Sequence, residues 1–170
     1  AGGPGRLTAQ LRVARDAGVG ALLACPMILG APVFAELLRA EAGVPLIAHP
    51  ALAGTAIAPA LLLGRLVRAF GADATIFPNH GGRFGYSLAT CKAIAAAARE
   101  PLGNLHPAMP VPAGGMRVDR VDEMLALFGP DTMLLIGGNL LEAGDGLEAR
   151  AAAFATRVRE AGGDAGRIEQ

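Results

Sequence analysis

"DATIFPNHGGRFGYSLATCKAIAAAARE", residues 73–100, holds one complete structural unit. Ala74 to Phe77 form a short apolar run of the kind that makes a buried strand. Pro78, Asn79, His80, Gly81, Gly82 and Arg83 then break any regular pattern. Ser87 is the expected N-cap of the Ala-rich helix that follows. Strand, polar loop and helix in that order define a βα unit.

The same unit recurs on both sides. A helix over 5–18, with Leu7 and Leu11 on one face, comes first and ends at Gly18. Strands are expected over 19–29, 44–50, 73–79, 106–115 and 132–138, and helices over 31–43, 58–72, 87–100, 117–129 and 146–163. Pro32 falls in a first helical turn, where its missing N–H costs nothing. Strands alternating with helices predict an α/β fold with a parallel sheet, and strands that are apolar runs rather than strict alternations, the one over 106–115 broken by Pro, predict one covered on both faces. An open doubly wound sheet, such as a flavodoxin-like binding domain, and part of an eight-stranded barrel both fit. A whole barrel needs about 250 residues, so 170 accommodate about five of its units.

Composition narrows the function classes. Apolar residues make up 52% and aromatics 4%, so the core is built from Ala, Leu, Val and Ile. Fifteen basic side chains balance fifteen acidic ones, which is not the basic footprint of a nucleic-acid binder. No apolar run reaches the about 18 residues of a membrane span. Two Cys, Cys25 and Cys91, make no disulfide framework, and a reduced, cytoplasmic setting is expected. The start, "AGGPGRLTAQ", has no initiator Met and no signal-peptide core, and reads as the beginning of a fragment or of a truncated reading frame.

The chemically capable residues cluster just after strands. They are Cys25-Pro26, His49-Pro50, Asn79-His80, Gly114-Gly115 and Gly137-Gly138. In barrels and open α/β sheets this C-terminal edge carries the active site. The two Gly-Gly pairs let backbone N–H groups approach a phosphate with no Cβ in the way, although tight turns would also select glycine. His49 can serve as acid, base or ligand, or as a structural hydrogen-bonding residue. His80, flanked by glycines, sits in a loop expected to be adaptable. Arg83 offers a guanidinium fork for phosphate or carboxylate, and Asn79 a donor and an acceptor. His106 lies at the opposite strand edge and reads as structural. Lys92, the one Lys, falls mid-helix and reads as solvated. Cys91 reads as a small buried apolar residue, and Cys25 has no nearby His to activate it. Glu142 and Asp145 read as helix-capping residues more than ligands. No Asp/Glu/His spacing suits a metal.

In this order, "LIAHPALAG", "GADATIFPNHGGRFGYS" and "PVPAGGMRVDRVDEMLALFGPDTMLLIGGNLL" resemble the C-terminal barrel of the RuBisCO superfamily, and most closely its RuBisCO-like branch. The resemblance covers nearly the whole chain. It implies a partial (β/α)8 barrel over residues 1–170, strands four to eight, preceded by one helix. It assigns His49 to the strand-five active-site His, and Gly114, Gly115, Gly137 and Gly138 to phosphate binding. Asn79 and Arg83, in a loop six that departs from the carboxylase pattern, are expected to contact the distal end of a substrate. True carboxylases carry a catalytic Lys in loop six, an Arg after the strand-five His and a Ser before the first Gly-Gly. Here loop six has only Arg83 as a cation, and Pro50 and Ala113 stand at the other two places. Carbon dioxide fixation is therefore not expected.

What the resemblance implies instead is enolisation, isomerisation or decarboxylation beside a carbonyl of a phosphorylated sugar-like substrate. It also implies a Mg²⁺ cofactor, whose Lys, Asp and Glu ligands would lie upstream of this chain, and a homodimer in the full-length protein. A catalytically inactive phosphate-binding or regulatory protein of the same fold is the alternative.

Overall fold

Residues 4–38, 43–54 and 56–165 are described by a computed structural model. The expected helix over 31–43 lies partly outside them, at 39–42. The chain forms two compact units. One comprises Ala1–Phe77 with Ala93–Met109, the other Pro78–Lys92 with Pro110–Gln170.

In the first unit, β1 (Leu22–Ala24), β2 (Leu46–Ala48) and β3 (Ala74–Pro78) run parallel in that order. Leu22 pairs with Leu46, and Ile47 with Ala74. The intervening chain forms α1 (Pro4–Asp16), α2 (Pro26–Leu29), α3 (Val33–Leu38) and α4 (Ala60–Leu66). Both α3 and α4 are wound more widely than an α-helix, and α4 continues as a normal turn over Val67–Ala69. Leu11, Phe34, Leu46, Ala48, Val67 and Ala72 make the core, and Leu7 packs against it as the helical spacing requires. The next helix, α5 (Leu88–Arg99), approaches α4 closely. A Cβ at Gly64 would lie 2.5 Å from the Cβ of Ala97. Small residues at the contact let a chain poor in aromatics close its core.

Arg68 is buried, yet its charge is hydrated by protein. Its Nε donates to the His106 carbonyl at 2.6 Å, Nη1 to Glu100 O at 2.6 Å and Nη2 to Leu105 O at 2.5 Å. These three bonds replace the water that burial removes and pin the loop after α5. His106 takes part in this anchor through its backbone carbonyl.

In the second unit α5 begins at Ser87, whose Oγ accepts the Thr90 N–H at 3.1 Å. The expected cap is present. After β4 (Met109–Ala113) come a short 3₁₀ turn at Val118–Arg120, α6 (Val121–Phe128), α7 (Gly138–Leu141), a second 3₁₀ turn at Gly144–Gly146, and α8 (Leu147–Ala165). Val121, Met124 and Phe128 bury one face of α6, and Arg157 of α8 ion-pairs with Asp122.

The fifth expected strand is cut short. Residues 132–138 contribute one parallel bridge, Leu135 to Ala113, and a bond from Met133 N–H to Pro110 O at 3.1 Å. The cause is in β4. Pro110 faces the segment, and Pro112 follows it at the strand's two-residue period. Neither proline has an N–H to donate. The ladder on that side therefore receives bonds and cannot return them at 110 or 112.

Candidate functional site

Two loops of the second unit meet backbone to backbone. The loop after β3 starts with the buried Asn79, whose N–H donates to Ala113 O at 2.8 Å. It then turns through Gly82 N–H to Asn79 O and Gly85 N–H to Gly82 O, each at 3.2 Å. The loop after β4 carries Gly114 and Gly115 at φ +104° and +66°, a region that favours glycine. A Cβ at Gly115 would stand 2.9 Å from the carbonyl oxygen of Gly81. Gly115 is thus required twice, by its φ and by its neighbour.

Gly137 and Gly138 differ. Their φ values lie outside the left-handed region, and a Cβ at either would meet nothing within 4 Å. Packing leaves both positions open, and at Gly138, the first residue of α7, the helical backbone accepts a side chain as well. All four glycines, with Gly81, line one cavity of about 670 Å³. Arg117, Arg120, Asn139 and Glu142 complete its polar wall, with Leu135 and Met116 as the apolar part.

Arg120 ties the wall together. Its Nη1 donates to Gly115 O at 3.1 Å, and its Nε and Nη2 grip the Glu123 carboxylate at 2.8 and 3.0 Å. Arg120's hydrogen bond, followed by that of His80, holds the Glu123 carboxyl down to about 2. Arg117 is engaged by Asp119 at 3.0 and 2.8 Å.

His80 is pinned, contrary to the adaptable loop expected from its glycine neighbours. Asn79 Nδ2 donates to Met124 Sδ at 3.2 Å, which turns Asn79 Oδ1 towards His80 Nδ1 at 3.0 Å. An amide oxygen only accepts, so Nδ1 carries a proton. His80 Nε2 then lies 3.2 Å from Arg120 Nη2 and 3.0 Å from Glu123 Oε1. A neutral ring accepts from Arg120, and a protonated ring donates to Glu123.

The expected site residues divide accordingly. Gly114, Gly115, Gly137 and Gly138 come together at one cavity. Asn79 is 0% exposed, and its amide is spent on Met124 and His80. That geometry suits orienting the loop and leaves no amide atom facing a ligand. Arg83 is exposed, stacks its guanidinium 5.2 Å from the Phe84 ring centre, and is not among the cavity residues. His49 belongs to the first unit, at the end of β2, where its Nδ1 receives the Ala51 N–H at 3.1 Å. Glu142 lines the cavity and accepts from Asn139 Nδ2 at 3.4 Å. Lys92 is exposed. Cys91 is buried, and burial pushes its thiol up, as suits a packing residue. Sequence reasoning passed over Arg120 and Glu123. Their i, i+3 spacing in "RVDRVDE" was the available signal.

No three His, Cys, Asp or Glu side chains converge on a possible metal position among the described residues. No helix among them is long and apolar enough to cross a membrane.

No family model matches the chain. A 5-methylthioribulose-1-phosphate isomerase of Rhodospirillum rubrum is 52% identical over 154 residues, covering 90% of this chain and 41% of the relative. A 2,3-diketo-5-methylthiopentyl-1-phosphate enolase of Exiguobacterium sibiricum is 32% identical, covering 74% of this chain and 33% of the relative. The crystal structure of a Rubisco-like protein from Rhodopseudomonas palustris matches with a TM-score of 0.84 at 48% identity, over 94% of this chain and 43% of the other. The chain thus spans about two fifths of the proteins it matches.

Proposed function

The chain belongs to the RuBisCO-like family, and from that premise we propose that the full-length protein isomerises or enolises a phosphorylated, sugar-like ketone without fixing carbon dioxide. Of these, isomerisation of a methylthio sugar phosphate is the reading that the relatives favour. The isomerase shares 52% of its aligned residues with this chain and the enolase 32%.

The observation that carries the phosphate assignment is the unforced glycine pair. Gly137 and Gly138 line the cavity where a Cβ would meet no packing, and at Gly138 the helical backbone does not demand glycine either. A bound oxyanion would supply the demand, because its oxygens need the space a Cβ would fill. On this reading the N–H groups of the two glycine pairs hold the phosphate, and Arg117 and Arg120 add positive potential although each is paired with a carboxylate. His49 orients or moves a proton near the carbonyl. Asn79 acts through His80, and Arg83 meets the distal end of the substrate only after leaving Phe84.

A cation beside the carbonyl would stabilise an enolate, which is the chemistry Mg²⁺ supplies in such reactions. Its ligands would come from parts of the full-length protein outside these residues. A homodimer and a cytoplasmic location complete the proposal. The test is turnover of 5-methylthioribulose 1-phosphate by the full-length protein, followed by NMR of the product. Isomerised product is expected. A protein that binds the sugar phosphate but leaves it unchanged, with Mg²⁺ present, would overturn the catalytic assignment.

A further inference from the structure

The turn after β2 contains the one non-glycine residue with positive φ among those described: Leu52, at +60°. Ala53 N–H donates to Pro50 O at 2.9 Å, so Leu52 occupies the third position of a four-residue turn. Glycine or asparagine is favoured there, and Leu is strained. Packing does not repay the strain, since Leu52 is 74% exposed. Uncompensated strain of this kind collects at functional positions.

What the turn achieves is a bond to His49. It aims the Ala51 N–H at His49 Nδ1, 3.1 Å away. A backbone N–H can only donate, so Nδ1 must present its lone pair. The neutral ring then carries its proton on Nε2. We propose that the 50–53 turn is a positioning element that holds neutral His49 in the Nε2–H form, so that it meets a ligand as a hydrogen-bond donor and not as a base. The chemical consequence rests on the function proposed above. His49 would donate to the carbonyl oxygen as negative charge develops there, and another group would take the carbon-bound proton.

The full-length protein labelled with ¹⁵N-histidine tests the assignment, with H49Q identifying the signal by its loss. The expected spectrum shows an unprotonated Nδ1 and a protonated Nε2 in the neutral ring. Proline at 52 cannot reach φ +60°, so L52P should release the turn and mix the tautomers, whereas L52G should keep the wild-type pattern. Gln places an amide N–H near the Nε2 position, and Asn places one near Nδ1. H49Q should therefore retain at least about tenfold more kcat than H49N, the worth of roughly one hydrogen bond. A protonated Nδ1 in the wild type, or H49N matching H49Q, overturns the proposal. The expected tautomer in a protein that turns over no sugar phosphate supports the positioning role and refutes the proposed function alone.

Discussion

Arg120 Nη1 donates to the carbonyl of Gly115 at 3.1 Å, and so one side chain fastens the glycine loop after β4 to the start of α6. The same guanidinium reaches His80 and Glu123. Its side chain is only 14% exposed. Replacing it with Met keeps much of the stem and removes every donor. R120M should lower unfolding free energy by about 1–3 kcal/mol, the usual worth of a bond to a charged group. Urea denaturation measures this. R120K should recover part of the loss at best, because an ammonium cannot reproduce the fork.

Glu123 sets an acid dependence. Its folded value of about 2 lies below the about 4.3 of an unfolded glutamate. The ionised carboxylate therefore stabilises the fold at pH above the unfolded value, and this contribution is lost as pH falls towards about 2. The carboxylate is 44% exposed, so solvent screens the effect and keeps it small. Thermal melts of wild type and E123Q should differ most above about pH 5 and converge only as the pH falls to about 2. A gap that widens on acidification would contradict the assignment.

The four glycines should separate by substitution. G115A meets a φ of +66° and the Gly81 oxygen at 2.9 Å, and should cost about 1–3 kcal/mol. G138A meets open space at the first residue of α7 and should be neutral, or stabilising by up to about 1 kcal/mol. G138D should fold equally well and lose the phosphate ligand, because its carboxylate occupies and repels the oxyanion's place. Thermal melts read the first two. Titration of the sugar phosphate into the full-length protein reads the third.

Metal removal should act on the full-length protein and leave this chain's residues unaffected. Chelation is expected to abolish turnover and Mg²⁺ to restore it. Calorimetric titration of Mg²⁺ into the chain alone should show no tight site, since no three ligating side chains converge among its described residues. Tight binding by the chain would show that its own residues suffice.

Much of this was legible because it is local. The parallel α/β alternation follows from apolar runs and helical spacing, and Ser87 caps its helix as its residue type predicts. The glycine pairs announce themselves by identity and by their place after β4 and after residues 132–136. The shortened fifth strand was not legible, since only the fold shows that Pro110 and Pro112 face residues 133–135. The distinction between the two pairs is not legible in this way. Gly115 is forced by φ and by Gly81, whereas Gly138 is forced by neither, and "GG" reads the same in both places.

Sequence by itself therefore determined the alternation of strands and helices, the composition of the core and which loops carry polar chemistry. Tertiary structure alone decided what those loops do. Asn79 meets Met124 across 45 positions, His80 meets Arg120 across 40 and Glu123 across 43. Local propensity holds no information at such separations, because the pairing depends on where two loops arrive after the strands and helices have packed. That is why Asn79, expected to reach a substrate, is buried, a seemingly adaptable His80 is held from both ring nitrogens, and Arg120 emerges as the residue that joins them.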